Sequence, residues 1–230
     1  MTMEQKRAGF ATVVLGAVSL LSACNGGGSS GSDTTPSQGQ PIQQQPPENA
    51  GVTSTVTAKS ASAGWFHNLV ITSDGNLYAW GGNDSGQLGD GTKTNRASPV
   101  KVNLSGVIAV DGGWEHSIAL LKDGTVWGWG YNQYGQLGDG SHVDRPLPVQ
   151  VGGLPKMTSI ARGFTHNLAI AEDGHVWAWG ANTYGQLGNG KTALIGGAGQ
   201  SLAVANVKQV SAGQTHSLAV DSAGRVWAWG

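Results

Sequence analysis

Four histidines are the first residues that invite a chemical reading. His67, His116, His166 and His216 each close a Gly-x-x-His tetrapeptide and recur at intervals of 49, 50 and 50 residues. A ring of imidazoles would suit a metal centre, and a general base beside Ser117 or Ser217 would suit acyl transfer. The spacing argues against both. No Cys, Asp or second His stands beside these histidines at ligand spacing, and each begins an apolar row such as His116-Ile118-Leu120. Neighbouring residues on a strand point to opposite faces, so Ser117 is not aimed at His116. A residue that recurs in every unit builds the unit, whereas a catalytic residue is normally unique. The expectation is therefore a buried imidazole in each unit, hydrogen-bonded to nearby backbone, with no metal, no cofactor and no enzymatic activity. The oxygens of Asn83-Asp84-Ser85-Gly86 and Asp90-Gly91 suggest a calcium loop, but their order does not match an EF-hand. Asx turns and positive-φ glycines account for them better.

The elements that must position these residues follow from the same period. Trp80, Trp129, Trp179 and Trp229, each before a glycine, step by 49, 50 and 50 residues as well. A constant period of this size signals a repeat architecture. In the second unit His116, Ile118 and Leu120 alternate with Ser117 and Ala119, the period of a strand. Asp123-Gly124 predicts a two-residue type I′ hairpin turn, and Thr125 to Trp129 returns as the paired strand. Trp127 and Trp129 share one face, with Val126 and Gly128 on the other. Two apolar faces, one bulky and one small, suit sheets stacked face to face rather than a half-solvated sheet. Val107 to Val110 supplies an inner strand, and Leu147 to Val151 an edge strand marked by Pro146 and Pro148. Four short antiparallel strands without helical periodicity make one β-propeller blade. The histidines and the Trp-Gly tryptophans are accordingly structural repeat residues in an all-β fold.

The stretches Gly64-Trp65-Phe66-His67, Gly113-Trp114-Glu115-His116, Gly163-Phe164-Thr165-His166 and Gly213-Gln214-Thr215-His216 are each followed by a turn and Trp-Gly, and in three units by Gly-Gln-Leu-Gly. In this the chain resembles the regulator of chromosome condensation repeat family. The resemblance implies a seven-bladed propeller, of which residues 51–230 hold three complete blades (about 56–105, 106–155 and 156–205) and part of a fourth (206–230). The stop at Trp229-Gly230 suggests a fragment of a longer protein. Residues 191–206 lack counterparts of Arg96/Arg145 and Pro99/Pro148, which puts the outer strand of the third blade in doubt, and the inner strand Ala58 to Ala61 reads as weak. The family's namesake is a guanine-nucleotide exchange factor, and a secreted bacterial member of similar fold inhibits β-lactamases through an aromatic face. Both remain alternatives to a general binding role. Light-sensing members carry Gly-Trp-Arg-His turns, where Phe66 and Glu115 replace the arginine here.

Where the repeat varies, recognition is expected. Trp65, Phe66, Trp114, Glu115, Phe164 and Gln214 occupy the two places between Gly and His, and Tyr131, Tyr134 and Tyr184 lie in similarly placed loops. Large aromatics in loops are frequent interface anchors, so these residues are candidate partner-binding turns.

Composition narrows the partner. The chain has 38 glycines, nine tryptophans and 12% charged residues, with 13 basic and 14 acidic side chains. No basic stripe is present, which disfavours nucleic acid. Lys6-Arg7, the apolar run Ala8 to Leu21 and Leu21-Ser22-Ala23-Cys24 resemble a bacterial lipoprotein signal. The resemblance implies cleavage after residue 23 and lipid attachment at Cys24, the single cysteine; several acyl chains would make a stable anchor. Residues 24–50, rich in Gly, Ser, Gln and Pro, read as a disordered tether, and Asn25 mildly favours the outer membrane or cell surface. The expected partner is an envelope or extracellular protein, with a glycan second.

Overall fold

The computed structural model describes residues 57–201 and 204–230. The expected signal peptide (1–23), Cys24 and the tether (24–50) lie outside the described residues.

Within the described residues the chain is all-β, built from consecutive antiparallel strands. The first blade comprises β1 (Ala58–Ala63), β2 (His67–Thr72), β3 (Leu77–Gly81) and β4 (Arg96–Val102). The second comprises β5 (Val107–Gly112), β6 (His116–Leu121), β7 (Val126–Gly130) and β8 (Arg145–Gln150). The third comprises β9 (Met157–Arg162), β10 (His166–Ala171), β11 (Val176–Asn182) and β12 (Ala193–Gln200). A three-stranded sheet follows, β13 (Val207–Ala212), β14 (Ser217–Asp221) and β15 (Val226–Trp229). In each sheet spatial order follows chain order, and the first strands β1, β5, β9 and β13 lie beside one another.

The hairpins differ from the expected type I′ turns. Gly75 N–H donates to Thr72 O at 2.9 Å and Thr72 N–H donates to Asn76 O at 2.9 Å, a type I turn closed by a glycine bulge. The glycines take positive φ, 81° at Gly75 and 85° at Gly124, while the aspartates before them do not. Their carboxylates instead accept from the backbone two residues on, as Asp123 Oδ1 does from Thr125 N–H at 3.0 Å. This local hydrogen bond holds Asp outside the left-handed region.

The two strands read as doubtful both form. β1 is anchored at its end, where Ser62 Oγ donates to Asp111 Oδ1 at 2.9 Å. β12 pairs with β11 through two register shifts, so backbone pairing persists where the Arg and Pro side chains are missing.

The apolar cores lie between blades. The first joins Leu69, Ile71 and Leu77 of one sheet to Ala119, Leu121 and Trp129 of the next. The second joins Leu120 and Val126 to Met157, Ala169 and Trp179. The third joins Leu168 and Ile170 to Val207, Ala219 and Trp229. Trp129 and Trp179 are fully buried, and truncating such a ring costs about 3–5 kcal/mol.

Candidate functional site

The Gly-x-x-His turns sit at one end of the strands, and their geometry explains both ends of the motif. Gly113 N–H donates to His116 O at 2.7 Å, and Gly64, Gly163 and Gly213 make the same bond to their histidines. The imidazole folds back under the glycine: a Cβ on Gly113 would lie 2.2 Å from His116 Cε1. No side chain fits there, which is why this place in the turn is glycine.

The histidine partners correct the backbone expectation. His67 Nε2 stands 2.8 Å from Ser117 Oγ, His116 Nε2 2.9 Å from Asn167 Oδ1, and His166 Nε2 3.0 Å from Ser217 Oγ. Each partner belongs to the next blade and follows that blade's own histidine. Ser117 Oγ and Asn167 Nδ2 then donate, each at 2.8 Å, to the carbonyls of Gln87 and Gln136 in the preceding blade. Because the Ser117 hydroxyl proton is spent on Gln87, Ser117 accepts from His67, which fixes the Nε2–H tautomer. Trp129 Nε1–H donates to the same Gln87 carbonyl at 2.8 Å, and Trp179 and Trp229 repeat this at 2.9 Å on Gln136 and Gln186. The Gly-Gln-Leu-Gly loop is thus the receptor for the next blade's Ser/Asn and Trp. The final glycine makes room: a Cβ on Gly89 would lie 2.8 Å from Trp129 Nε1.

Burial drives His67, His116 and His166 down to about 4, opposed at His116 by the Asn167 hydrogen bond and reinforced at His67 and His116 by Arg162, so they are neutral at pH 7. Their Nδ1 atoms are buried without a hydrogen-bond partner. His216, expected to be buried with the others, is exposed among the described residues. Trp80 is only half-buried, unlike Trp129 and Trp179.

The carboxylate loop is a structural knot. Asn83 Nδ2 donates to Asp90 Oδ1 and to the carbonyls of Thr92 and Thr94, while Asp90 pairs with Arg96 at 2.9 Å. The Asn83 and Asp90 oxygens that suggested calcium are turned on protein donors, Asn83 Oδ1 accepting from Leu88 N–H and Asp90 from Thr92 N–H and Arg96.

The turns bring most of the variable aromatics together. Trp65 stacks on Phe66 with centroids 5.7 Å apart and meets Phe164 edge-on at 5.1 Å. Trp114 stacks on Phe164 at 4.7 Å and lies 6.2 Å from Trp65. Tyr131 packs on Trp114 at 5.7 Å, and Tyr134 on Tyr131 at 6.1 Å. Six rings from three blades therefore form one continuous cluster. Trp65 and Phe66 are 58% and 57% exposed, well above the usual exposure of large apolar rings. Burial raises the Tyr131 hydroxyl above its ordinary range, with the Tyr134 hydroxyl acting in the same direction.

Glu115 borders this cluster and accepts from Ser85 Oγ at 2.8 Å. Gln214 lines a recess with Trp65, Phe164 and Arg162. Tyr184 is 65% exposed and makes no ring contact with the cluster. Arg162, which sequence reasoning did not single out, ties the blades together here. Its Nη2 donates to Ala63 O at 2.9 Å and its Nε to Asp111 Oδ1 at 3.3 Å. Its repeat equivalents are Ala63, Gly112 and Ala212, so a large cation at a small-residue position was the available signal.

Residues 74–120, 123–170 and 173–220 match the profile described as Regulator of chromosome condensation (RCC1) repeat, and a second profile of the same description matches 58–87, 107–136 and 157–186. The chain is 49% identical over 43 residues to the ultraviolet-B receptor UVR8 of Arabidopsis thaliana, covering 19% of this chain and 10% of that protein. The structure of human WBSCR16 superposes with a TM-score of 0.70 at 25% identity, covering 76% of this chain and 47% of that one. Prp20p of Saccharomyces cerevisiae, a protein with described binding to Gsp1p and histones, gives 0.67 at 27% identity, covering 78% and 46%. Yeast RCC1 (Prp20) has also been solved bound to Kap60. The chain spans less than half the length of these structures.

Proposed function

The chain belongs to the regulator of chromosome condensation (RCC1) repeat family, and on that premise we propose that it is a non-catalytic protein-binding propeller, held at the cell envelope by lipid on Cys24. The continuous aromatic cluster of Trp65, Phe66, Trp114, Phe164, Tyr131 and Tyr134 carries this reading. A patch of large rings, held by a hydrogen-bonded scaffold and bordered by Glu115, Gln214 and Arg162, has the make-up of an interface centre with a polar rim. The solved yeast relative is described with protein partners, which supports a protein as the ligand here. The envelope location rests on the lipoprotein-like motif ending at Cys24 and on the Gly/Ser/Gln/Pro segment after it. A nucleotide-exchange role is less well supported, since an exported chain does not meet a cytosolic GTPase.

The test is affinity capture of envelope proteins by the full chain, alongside a Trp65→Ala/Phe66→Ala variant with unchanged circular dichroism. A specific partner should be retained by the parent and weakened at least tenfold by the variant, since two hot-spot rings contribute more than about 1.4 kcal/mol together. Equal retention by both would overturn the assignment of this face. Cys24→Ser should abolish incorporation of labelled fatty acid and move the protein out of the membrane fraction; unchanged labelling would overturn the anchor.

A further inference from the structure

The clefts between neighbouring blades are not equally filled. Between the first and second blades, β8 closes the outer cleft with Pro146 and Leu147. Pro146 lies so close that a Cβ on Gly86 would be 2.6 Å from its Cα, and Gly91 N–H donates to Pro146 O at 2.9 Å. Leu147 covers Gly91, its Cδ2 3.4 Å from where a Cβ would stand. The chain therefore shows what this type of cleft accepts: an extended segment carrying a proline and an aliphatic side chain.

The same cleft between the second and third blades has no such filler. Arg145 pairs with Gly130 and Val149 with Gly128 in β7–β8, while Gly196 pairs with Gly180 and Gly199 with Ala178 in β11–β12, so Gly197 and Ala198 alone span the stretch that Pro146, Leu147 and Pro148 fill in the second blade. In the facing loop, Gly135 and Gly140 stand where Gly86 and Gly91 do. A Cβ on Gly140 or on Gly197 meets nothing within 4 Å. A cavity of about 430 Å³ results, lined among others by Gly135, Gly140, Gly152, Gly197 and Ala198. This falls within the ~300–1,000 Å³ range of ligand pockets. Its one carboxylate, Asp139, is already engaged by Arg145 at 2.8 Å and by Ser141, which leaves the His142 imidazole as the other titratable group on the walls.

A second, independent observation concerns the strand edge. β4 carries Pro99, and β8 carries Pro146 and Pro148, residues that keep an outer strand from pairing further. Among the described residues β12, Ala-Leu-Ile-Gly-Gly-Ala-Gly-Gln, is the outer strand of its sheet, and it has none. An open edge beside an unfilled apolar cleft is the arrangement used for strand addition, in which backbone bonds hold the peptide and side-chain pockets select it.

We propose that β12 and the cleft between the second and third blades form a binding site for an extended partner polypeptide, which adds to the β12 edge and inserts a proline–leucine pair where Gly197 and Ala198 leave space. None of the six clustered rings lines this cavity, although its Gly135 directly follows Tyr134 of that cluster.

The probe is an end-blocked, fluorescent peptide Asp-Arg-Pro-Leu-Pro-Val-Gln, copied from residues 144–150, titrated with the full chain and read by anisotropy. Saturable binding is expected. It should weaken at least tenfold when the peptide leucine becomes alanine, as burying an aliphatic side chain is worth more than tenfold in affinity. The chain variant Gly197→Pro/Ala198→Leu, which fills the cleft from within, should lose binding while its thermal midpoint stays at or above the parent's. Ala198→Leu alone serves if the proline hinders folding, and should weaken binding in the same direction. No binding at millimolar chain, or binding indifferent to both Ala198→Leu and the peptide leucine, overturns the proposal.

Discussion

Acid should unfold this propeller in a window set by its scaffold histidines. His67, His116 and His166 are held at about 4 in the folded chain, chiefly by burial, against ~6.5 in an unfolded chain. The folded state therefore prefers the neutral imidazole. Between these two values the unfolded chain binds more protons, so stability falls as pH falls. The contribution is complete above about pH 6.5 and is lost progressively towards pH 4. At pH 4.5 each histidine destabilises the fold by about 2 kcal/mol relative to pH 7, or roughly 6 kcal/mol for the three. That is comparable with the ~5–15 kcal/mol total stability of a domain. Carboxylates act lower on the scale: burial opposes ionisation of Asp221, yet hydrogen bonds from Arg225 and Trp227 hold it at about 2, so its contribution is lost only below about pH 4. Urea unfolding followed by tryptophan fluorescence from pH 8 to 4.5 reads this directly. The midpoint should be flat above pH 7 and drop steeply from pH 6.5 to 4.5. A His116→Gln variant should be less stable at pH 7.5 but show about one third less pH dependence. A midpoint unchanged between pH 7 and 5, or an unaltered slope in His116→Gln, would refute the account of the histidines as neutral, buried donors.

Ser117→Ala leaves His67 Nε2–H and one acceptor site of Gln87 without their partner and should cost about 1–3 kcal/mol by chemical denaturation. Asn167→Ser should be far milder, within about 1.5 kcal/mol, because serine performs the same relay at Ser117 and Ser217. Gly113→Ala places a Cβ against the His116 ring and should lower the unfolding midpoint more than Gly75→Ala, where only the positive φ is violated. If the two alanine variants proved equal, steric contact with the imidazole would not be the reason for that glycine.

The period of the chain made the blades legible before any geometry. Alternation at His116-Ile118-Leu120 located β6, and the bulky Trp127/Trp129 face against small residues foretold sheets stacked on one another. What alternation does not carry is contact between units. Ser117 lies beside His116 in sequence but serves His67, 50 residues earlier, so its role appears only when two blades are stacked. The turn type failed for a local reason: Asp-Gly also suits a type I turn with a glycine bulge, and the Asp123 carboxylate bond to Thr125 favours it. The aromatic turns were legible as variable positions, but their meeting in one cluster was not, because Trp65, Trp114 and Phe164 come from three different blades. Gly197 and Ala198 looked like mere degeneration of the repeat; only the comparison with Pro146 and Leu147 turns them into a vacancy.

The origin of those three rings has a thermodynamic corollary. Trp65, Trp114 and Phe164 touch one another only while the first, second and third blades are stacked. A repeat array opens at its interfaces, where most contacts join each unit to the next. Anything that covers all three rings at once bridges two such interfaces and opposes the opening of both. Occupancy of that face would therefore show itself as slower hydrogen exchange at His67, His116 and their turns, and the scaffold's own breathing becomes a gauge of whether the face is engaged.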